Sequence, residues 1–354
     1  KRGENKPRLV WVFPILVATF ESVFGAPLFL LMKQSHLFAW NVNWLHGCLP
    51  GLYRAMTGDR VGAILGFDFS HFDRSICAEA IEWAFSVLRE HLQFTQSWHG
   101  KIWKLIKDYF INTPILMYDD LYLTYSGIPS GSLFTQLIGS LVNAYMILDT
   151  ILYLRAIRTF NIAQPDSVQE IVRFIRVLGD DSLVKLCFGL RSNDNFACSE
   201  YLLLRHNMEM HPSKGCFHST LMNFDDDDGL RPFSFEFLGK TVTSSRHADI
   251  STELLESQLR LPESVDKDPG DVLTRIIGLA WSHGTSVFHY ESLFEYYREV
   301  KHKYENAEPT PWKREDKAWF KYVLGVDLPV PRFPERFEVL ERYFIELVPI
   351  RPLG

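Results

Sequence analysis

The sequence predicts a mixed α/β fold of the α+β kind: an antiparallel sheet with helices packed on it, followed by a helical C-terminal third. Three observations carry this. Short apolar runs of strand length end in acids or tight turns: residues 61–67 before Asp68, and 173–178 and 182–186 on either side of Gly179-Asp180-Asp181. Longer stretches with apolar residues three and four apart lie between them. Beyond residue 250 helical spacing prevails, broken by proline-rich joints at 309–311, 329–334 and 349–352.

Composition sets the bounds. With 354 residues, 47% hydrophobic and 23% charged, the chain can bury a large core and divide into two or three subdomains that share it. A net charge of −6 excludes an overall basic coat but not a local basic stripe. The five cysteines form no CxxC pair, which points to a reducing setting and away from a zinc site. Starting at Lys1 inside a structured-looking segment, the chain reads as part of a longer protein. The apolar stretch at 9–20 is followed by Glu21, Gly25 and Pro27 and contains Pro14, so it reads as a buried segment and no membrane span is expected.

The elements follow in order. Lys1, Arg2, Lys6 and Arg8 make a basic start that leads into a strand-like 9–13. Residues 20–56 have helical spacing, with breaks expected at Gly25-Ala26-Pro27 and Leu49-Pro50-Gly51. Residues 61–67 read as a buried strand with Asp68 at its C-terminal end, a usual place for a ligand-binding acid. Asp73 stands where it can cap the next helix, expected at 75–91 with Ile76, Ala80, Ala84, Val87 and Leu88 on one face. A helix at 97–111 leads to a hairpin turning at Asp119-Asp120.

The loop 126–132 is dense in small residues and runs into a long helix expected at 133–159. Ser130, Thr135 and Asn143 supply hydrogen-bonding groups, and Gly127 and Gly131 let backbone approach a ligand. A helix at 194–207 precedes a turn bearing Lys214. The acidic run 225–228 reads as a solvated loop. Residues 233–243 read as a hairpin turning at Gly239-Lys240, and helices are expected at 251–259, 270–283, 286–303, 314–324 and 335–346.

Taken alone, Gly179-Asp180-Asp181 is an ordinary polar turn. Neighbouring residues of a straight strand face opposite ways, but a turn allows two adjacent carboxylates to share a ligand. If Asp68 stands beside them in one antiparallel sheet, the three supply the carboxylates that two Mg²⁺ ions require.

Order and residue types then resemble a known family. Asp68 with Asp73, then Ser130-Gly131 with Thr135 and Asn143, then Gly179-Asp180-Asp181, are similar to palm motifs A, B and C of viral RNA-dependent RNA polymerases. Lys6-Pro7-Arg8 resembles the triphosphate-contacting motif F, Lys214 in His211-Pro212-Ser213-Lys214 the motif D lysine, and Phe235-Glu236-Phe237-Leu238-Gly239 the motif E hairpin. The loop sequence resembles picornavirus-like polymerases of the partitivirus type, from double-stranded RNA viruses. The resemblance covers residues 6–240, and the thumb beyond is assigned by position and helicity.

The resemblance implies a right-hand polymerase with an antiparallel-sheet palm, partial fingers and a helical thumb. Its expected parts are partial fingers at 1–60, palm at 61–232, the motif E hairpin at 233–244 and thumb at 245–354. It implies two Mg²⁺ (or Mn²⁺) ions on Asp68, Asp180 and Asp181, with Lys214 as general acid. Nucleotide contacts are expected from Lys6, Arg8, Asp73, Ser130, Gly131, Thr135 and Asn143. The implied partners are an RNA template and nascent strand, ribonucleoside triphosphates and a viral capsid protein, in the host cytoplasm within the viral particle. The chain departs from the family in lacking the upstream fingers and in carrying Gly139 where many relatives have Asn. Ser130, Thr135 and Asn143 are then the candidates for positioning Asp73. Reverse transcriptases, which use the same chemistry, resemble the chain less, since they usually place a bulky aromatic where Asp73 stands. A palm-fold protein that binds RNA or capsid without polymerising is the third reading.

Overall fold

A computed structural model describes residues 12–41, 44, 48–57, 62–158, 172–191, 193–211, 216–219, 234–243, 248–262, 265–322 and 331–344. Lys6, Arg8, Lys214 and the acidic run 225–228 lie outside the described residues. The chain forms two compact units, 1–41 with 60–225 and 42–59 with 226–354.

The first unit is built on a four-stranded antiparallel sheet. Its strands are β1 (Ala63–Gly66), β4 (Val172–Leu178), β5 (Asp181–Leu186) and β6 (Cys216–Ser219), in the order β4-β5-β1-β6. β1 is buried along its whole length, and β5 is buried after Asp181, so the apolar runs of the sequence are the two central strands. Their register pairs Leu65 with Val184 and Ile64 with Lys185. A separate hairpin joins β2 (Pro114–Met117) to β3 (Asp120–Leu123). It turns at Tyr118-Asp119, one residue earlier than expected, because Tyr118 takes the positive φ of 55° that the short turn needs.

Helices α1 (Ile15–Gln34), α4 (Ala78–Glu90), α5 (His99–Ile111), α6 (Thr135–Arg158) and α7 (Asp194–His206) complete this unit, with the one-turn α3 (Phe72–Ser75) before α4. The expected 75–91 helix is thus two pieces, separated at Ile76-Cys77. α6 runs through the core: Leu137, Ile138, Val142, Ile147, Ile151 and Leu154 are buried with Phe85, Phe110, Leu65 and Val184. Each such side chain contributes about 1.5–3 kcal/mol relative to exposure.

The break expected at Gly25-Ala26-Pro27 does not occur, and α1 continues through Pro27. One missing N–H removes a single hydrogen bond, and Phe24, Leu28 and Met32 bury on either side of it. The segment expected to be buried at 9–20 is exposed at Val12, Ile15 and Leu16. α1 and Thr135–Ile157 are both long and apolar enough to cross a membrane, with 28% and 72% of their apolar windows buried; the second is the core helix just described.

Among its described residues the second unit contains α2 (Cys48–Thr57), a three-stranded sheet of β7 (Ser234–Phe237), β8 (Lys240–Thr243) and β9 (Ala248–Asp249), and five further helices. These are α8 (Thr252–Arg260), α9 (Pro269–His283), α10 (Val287–Lys303), α11 (Arg314–Tyr322) and α12 (Arg336–Phe344), close to the expected spans. Their starts are legible in the sequence: the side chains of Ser251, Asp268 and Ser286 accept from the backbone N–H three residues on. Ile250, Leu255, Leu273, Ile276, Ala280 and Leu293 form this unit's core. The β7–β8 hairpin turns at Leu238-Gly239 rather than Gly239-Lys240, with positive φ at both residues (49° and 69°), as a I′ turn demands.

Candidate active site

The hairpin β4–β5 closes through two residues, with Leu178 paired to Asp181. Gly179 takes the positive φ (59°) and Asp180 does not, which is the II′ pattern with Gly at the first central position. A Cβ on Gly179 would lie 2.9 Å from Gln136 Oε1, the far end of a side chain that can shift, so it is the backbone conformation that selects glycine. The turn leaves Asp180 and Asp181 exposed at the start of the buried strand β5.

Helix α6 holds this turn. Ser140 Oγ accepts from Gly179 N at 2.8 Å, and Asn143 Nδ2 donates to Gly179 O at 2.8 Å and to Asp181 O at 3.3 Å. Gly139 lets the helix come within ordinary contact distance of Gly179 Cα and Phe72, each 3.6 Å from where its Cβ would be. Residues 136, 139, 140 and 143 share one helical face, so α6 meets the turn along a single stripe.

Asp68 is placed from two sides. Phe67 N donates to Ser182 Oγ at 3.2 Å, which ties the residue before Asp68 to the residue after Asp181. On the other side His211 N donates to Asp68 O at 3.0 Å, Ser70 N donates to Glu209 O at 2.8 Å, and Ser70 Oγ lies 2.6 Å from His211 Nε2. The carboxylates feel one another: partial burial first, then the charges of Asp180 and Asp68, push Asp181 up to about 6. Among the described residues no three His, Cys, Asp or Glu side chains are set at ready coordination geometry for an ion. The charges of Asp180 and Asp68 both reach Asp181, so three carboxylates stand close together, and oxygen donors of this kind suit a hard divalent cation.

Asp73 is exposed, and its backbone anchors the start of the neighbouring loop: Ile128 N donates to Asp73 O at 2.7 Å and Gly127 N to Ile76 O at 2.8 Å. Gly127 has φ 85°, and a Cβ there would sit 3.0 Å from Asp73 O. This brings Asp73 to the loop that carries Ser130 and Gly131, both exposed.

Two of the expected nucleotide contacts are otherwise engaged. Thr135 Oγ1 donates to Pro129 O (2.6 Å) and Ser132 O (2.8 Å), closing the loop on itself. Asn143 is fully buried on the turn carbonyls. Thr135 adds to backbone bonds that Pro129 O and Ser132 O already accept from Ser132 N and Thr135 N, and Asn143 serves two carbonyls of the turn, so of the three candidates beside Asp73, Ser130 is the exposed one.

Sequence reading gives Glu21, Gln136, Ser140, Ser182 and His211 no role in the site, although Gln136 and Ser140 stand out as early polar positions of the long helix. Ser140 had a signal, lying three residues before Asn143 on one helical face. Ser182 and His211 had none, because their partners are more than a hundred residues away.

A family described as viral RNA-dependent RNA polymerase matches residues 3–301. The chain belongs to the viral RNA-dependent RNA polymerases. It is 33% identical over 368 aligned residues to an RNA-directed RNA polymerase of Cryptosporidium parvum virus 1 (strain KSU-1), covering 97% of this chain and 67% of the relative. Among solved structures it resembles the RNA-dependent RNA polymerase of a human picorbirnavirus (TM-score 0.63, 16% identity, 90% of this chain and 55% of that one). It also resembles the Sicinivirus 3Dpol RNA-dependent RNA polymerase (TM-score 0.61, 16% identity, 89% and 63%). The polymerase is thus related to both picorna-like and double-stranded RNA virus enzymes, with their palm, fingers and thumb architecture. It spans about half to two thirds of the length of the proteins it matches.

Proposed function

We propose that this chain carries template-directed addition of ribonucleotides to an RNA 3′ end, in replication and transcription of a viral RNA genome. The observation that carries the reading is the meeting of Asp68, from the end of β1, with Asp180 and Asp181 at the β4–β5 turn. Asp68 and Asp180 hold both ions in this reading, and Asp181 is the weaker ligand. Two bound Mg²⁺ ions would supply a lowered pKa at the primer 3′-hydroxyl and charge neutralisation at the triphosphate.

The chain's own residues do the rest. Asp73 accepts from the ribose 2′-hydroxyl, with the Ser130-Gly131 crest beside it. Lys6 and Arg8 would stabilise the charge that develops on the phosphates, and Lys214 would protonate the pyrophosphate as its bond to the α-phosphorus breaks and the 3′-oxygen bond forms. The working setting is the host cytoplasm within the viral particle, beside a capsid protein, with fingers at 1–60, palm at 61–232, the motif E hairpin at 233–244 and thumb at 245–354.

Extension of an RNA primer or template end by the whole protein tests the reading, and no Mg²⁺-dependent incorporation would end it. Asp73→Ala is expected to narrow the preference for ribo- over deoxynucleotides by about 10-fold, the weight of one lost hydrogen bond to a charged group; an intact preference removes Asp73 from sugar recognition.

The raised Asp181 gives a pH signature. Its proton stays on in the folded state up to about 6, against 3.8 ordinarily, so its contribution to stability is full below 3.8 and is lost as pH rises through 6. Asp181 is more than a third exposed, so solvent screens part of this. Added Mg²⁺ should therefore raise the thermal midpoint more at pH 7 than at pH 5, and Asp181→Asn should flatten the difference. Equal Mg²⁺ effects at both pH values would separate Asp181 from the ion site.

A further inference from the structure

Glu21 lies within the apolar helix α1 and is 1% exposed. A carboxylate in that position is unfavourable unless it is fully bonded. Its two oxygens divide between consecutive residues of the small-residue loop. Ser132 Oγ donates to Oε1 at 2.6 Å, and Leu133 N donates to Oε2 at 2.9 Å. Ser132 Oγ in turn accepts from Phe134 N at 3.0 Å, so one buried carboxylate sets three consecutive residues.

The opposite foot of the loop is fixed separately, by Thr135 Oγ1 on Pro129 O. Ser130 and Gly131 are therefore an exposed crest of two residues between two clamps, one local and one supplied from more than a hundred residues away. Burial pushes the Glu21 carboxyl up, and its bonds to Ser132 and Leu133 draw it part of the way back. Tyr109 is also pushed up, by burial and then by the charge of Glu21, and its ring meets Phe13 edge-on at 5.4 Å. Glu21 thus stands where the entry into α1, helix α5 and the loop converge.

We propose that Glu21 is a positioning residue, which sets the height of the Ser130-Gly131 crest against the incoming nucleotide through Ser132 and Leu133. This rests on the polymerase reading above. A carboxylate that served only to hold the fold could be exchanged for an apolar side chain without touching nucleotide affinity, whereas a clamp on the crest cannot.

The test uses the whole protein with Glu21→Ala, Glu21→Gln and Ser132→Ala, reading KM and kcat for ribonucleotides together with amide exchange across residues 130–134. Glu21→Ala is expected to raise the nucleotide KM about 10-fold with kcat changed less than about 3-fold, and to speed exchange at Leu133 and Phe134. Glu21→Gln, which keeps the shape and one acceptor, should recover most of both. Ser132→Ala opens no large hole in α1, so it should fold, raise KM by a smaller factor and add little to Glu21→Ala in the double variant.

An unchanged KM in both Glu21→Ala and Ser132→Ala overturns the proposal, even if exchange quickens. An equal fall of kcat in Glu21→Ala and Glu21→Gln with a lowered thermal midpoint also overturns it, by making Glu21 a residue of the fold alone. If the unsubstituted protein adds no nucleotide, the polymerase reading is what fails. Glu21 is then judged on calorimetric binding of GTP, where an unweakened Glu21→Ala overturns the proposal.

Discussion

Asp180→Ala is expected to abolish ribonucleotide addition, with a loss of about 10³-fold or more, while the protein unfolds at nearly the same denaturant concentration. The two halves of this expectation have separate causes. Asp180 is exposed at the tip of a two-residue turn whose required positive φ belongs to Gly179, so truncation removes no packing and no backbone support. Substitutions at such positions usually fall within about ±0.5 kcal/mol. Activity differs because charge neutralisation at the reacting phosphate acts only in the transition state, and losing a group of that kind typically costs about 10²–10³-fold or more. Primer extension and an equilibrium urea curve on the same preparation measure both. Retained Mg²⁺-dependent addition would remove Asp180 from the ion site, and a large fall in stability would show that the turn is held by more than its backbone.

Asn143→Leu is expected to do both kinds of damage. The side chain is fully buried, and its Nδ2 is the donor for two carbonyls of the turn, at 2.8 and 3.3 Å. Leucine fills nearly the same space but leaves Gly179 O and Asp181 O without this donor, at about 1–3 kcal/mol. Oδ1 is buried without a hydrogen-bond partner, so nothing is lost on that side of the amide. With the clamp gone, the turn is held to α6 by Ser140 alone among these bonds, and both acidic side chains shift relative to Asp68. A misplacement of about 1 Å is enough for about a 100-fold loss of rate. Chemical denaturation and single-turnover addition together decide this. Full activity in a destabilised Asn143→Leu protein would show that the turn keeps its geometry without α6.

The residues divide according to the range over which their information acts. The helices expected from spacing at 251–259, 270–283 and 286–303 start within a residue of the observed ones, where Ser251, Asp268 and Ser286 cap them by bonds three residues away. The two central strands were legible because burial on both faces leaves mostly apolar runs, unbroken in β1 and interrupted in β5 by the buried Lys185. Turn positions were off by one at Tyr118-Asp119 and Leu238-Gly239, since composition marks a turn but φ decides which residues are central. The passage of α1 through Pro27 was missed because packing of Phe24, Leu28 and Met32 outweighs one lost hydrogen bond.

Gly179-Asp180-Asp181, with Asp68 and Asp73, was already visible as a set of acids, because the chemistry of two cations demands those residue types whatever holds them. What holds them was not visible. Whether Asn143 faces a nucleotide or a backbone carbonyl depends on which side of α6 meets the turn, and that is the side of Gly139, where a Cβ would stand 3.6 Å from Gly179 Cα. Glu21 read as an interruption of an apolar stretch until the loop at Ser132 and Leu133, more than a hundred residues on, was folded against it. The sequence by itself determined the acids, the strands and most of the helices, since each rests on local pattern or on chemistry. Tertiary structure alone decided which polar side chains serve the turn and the loop, since a hydrogen bond between distant residues leaves no periodicity to read.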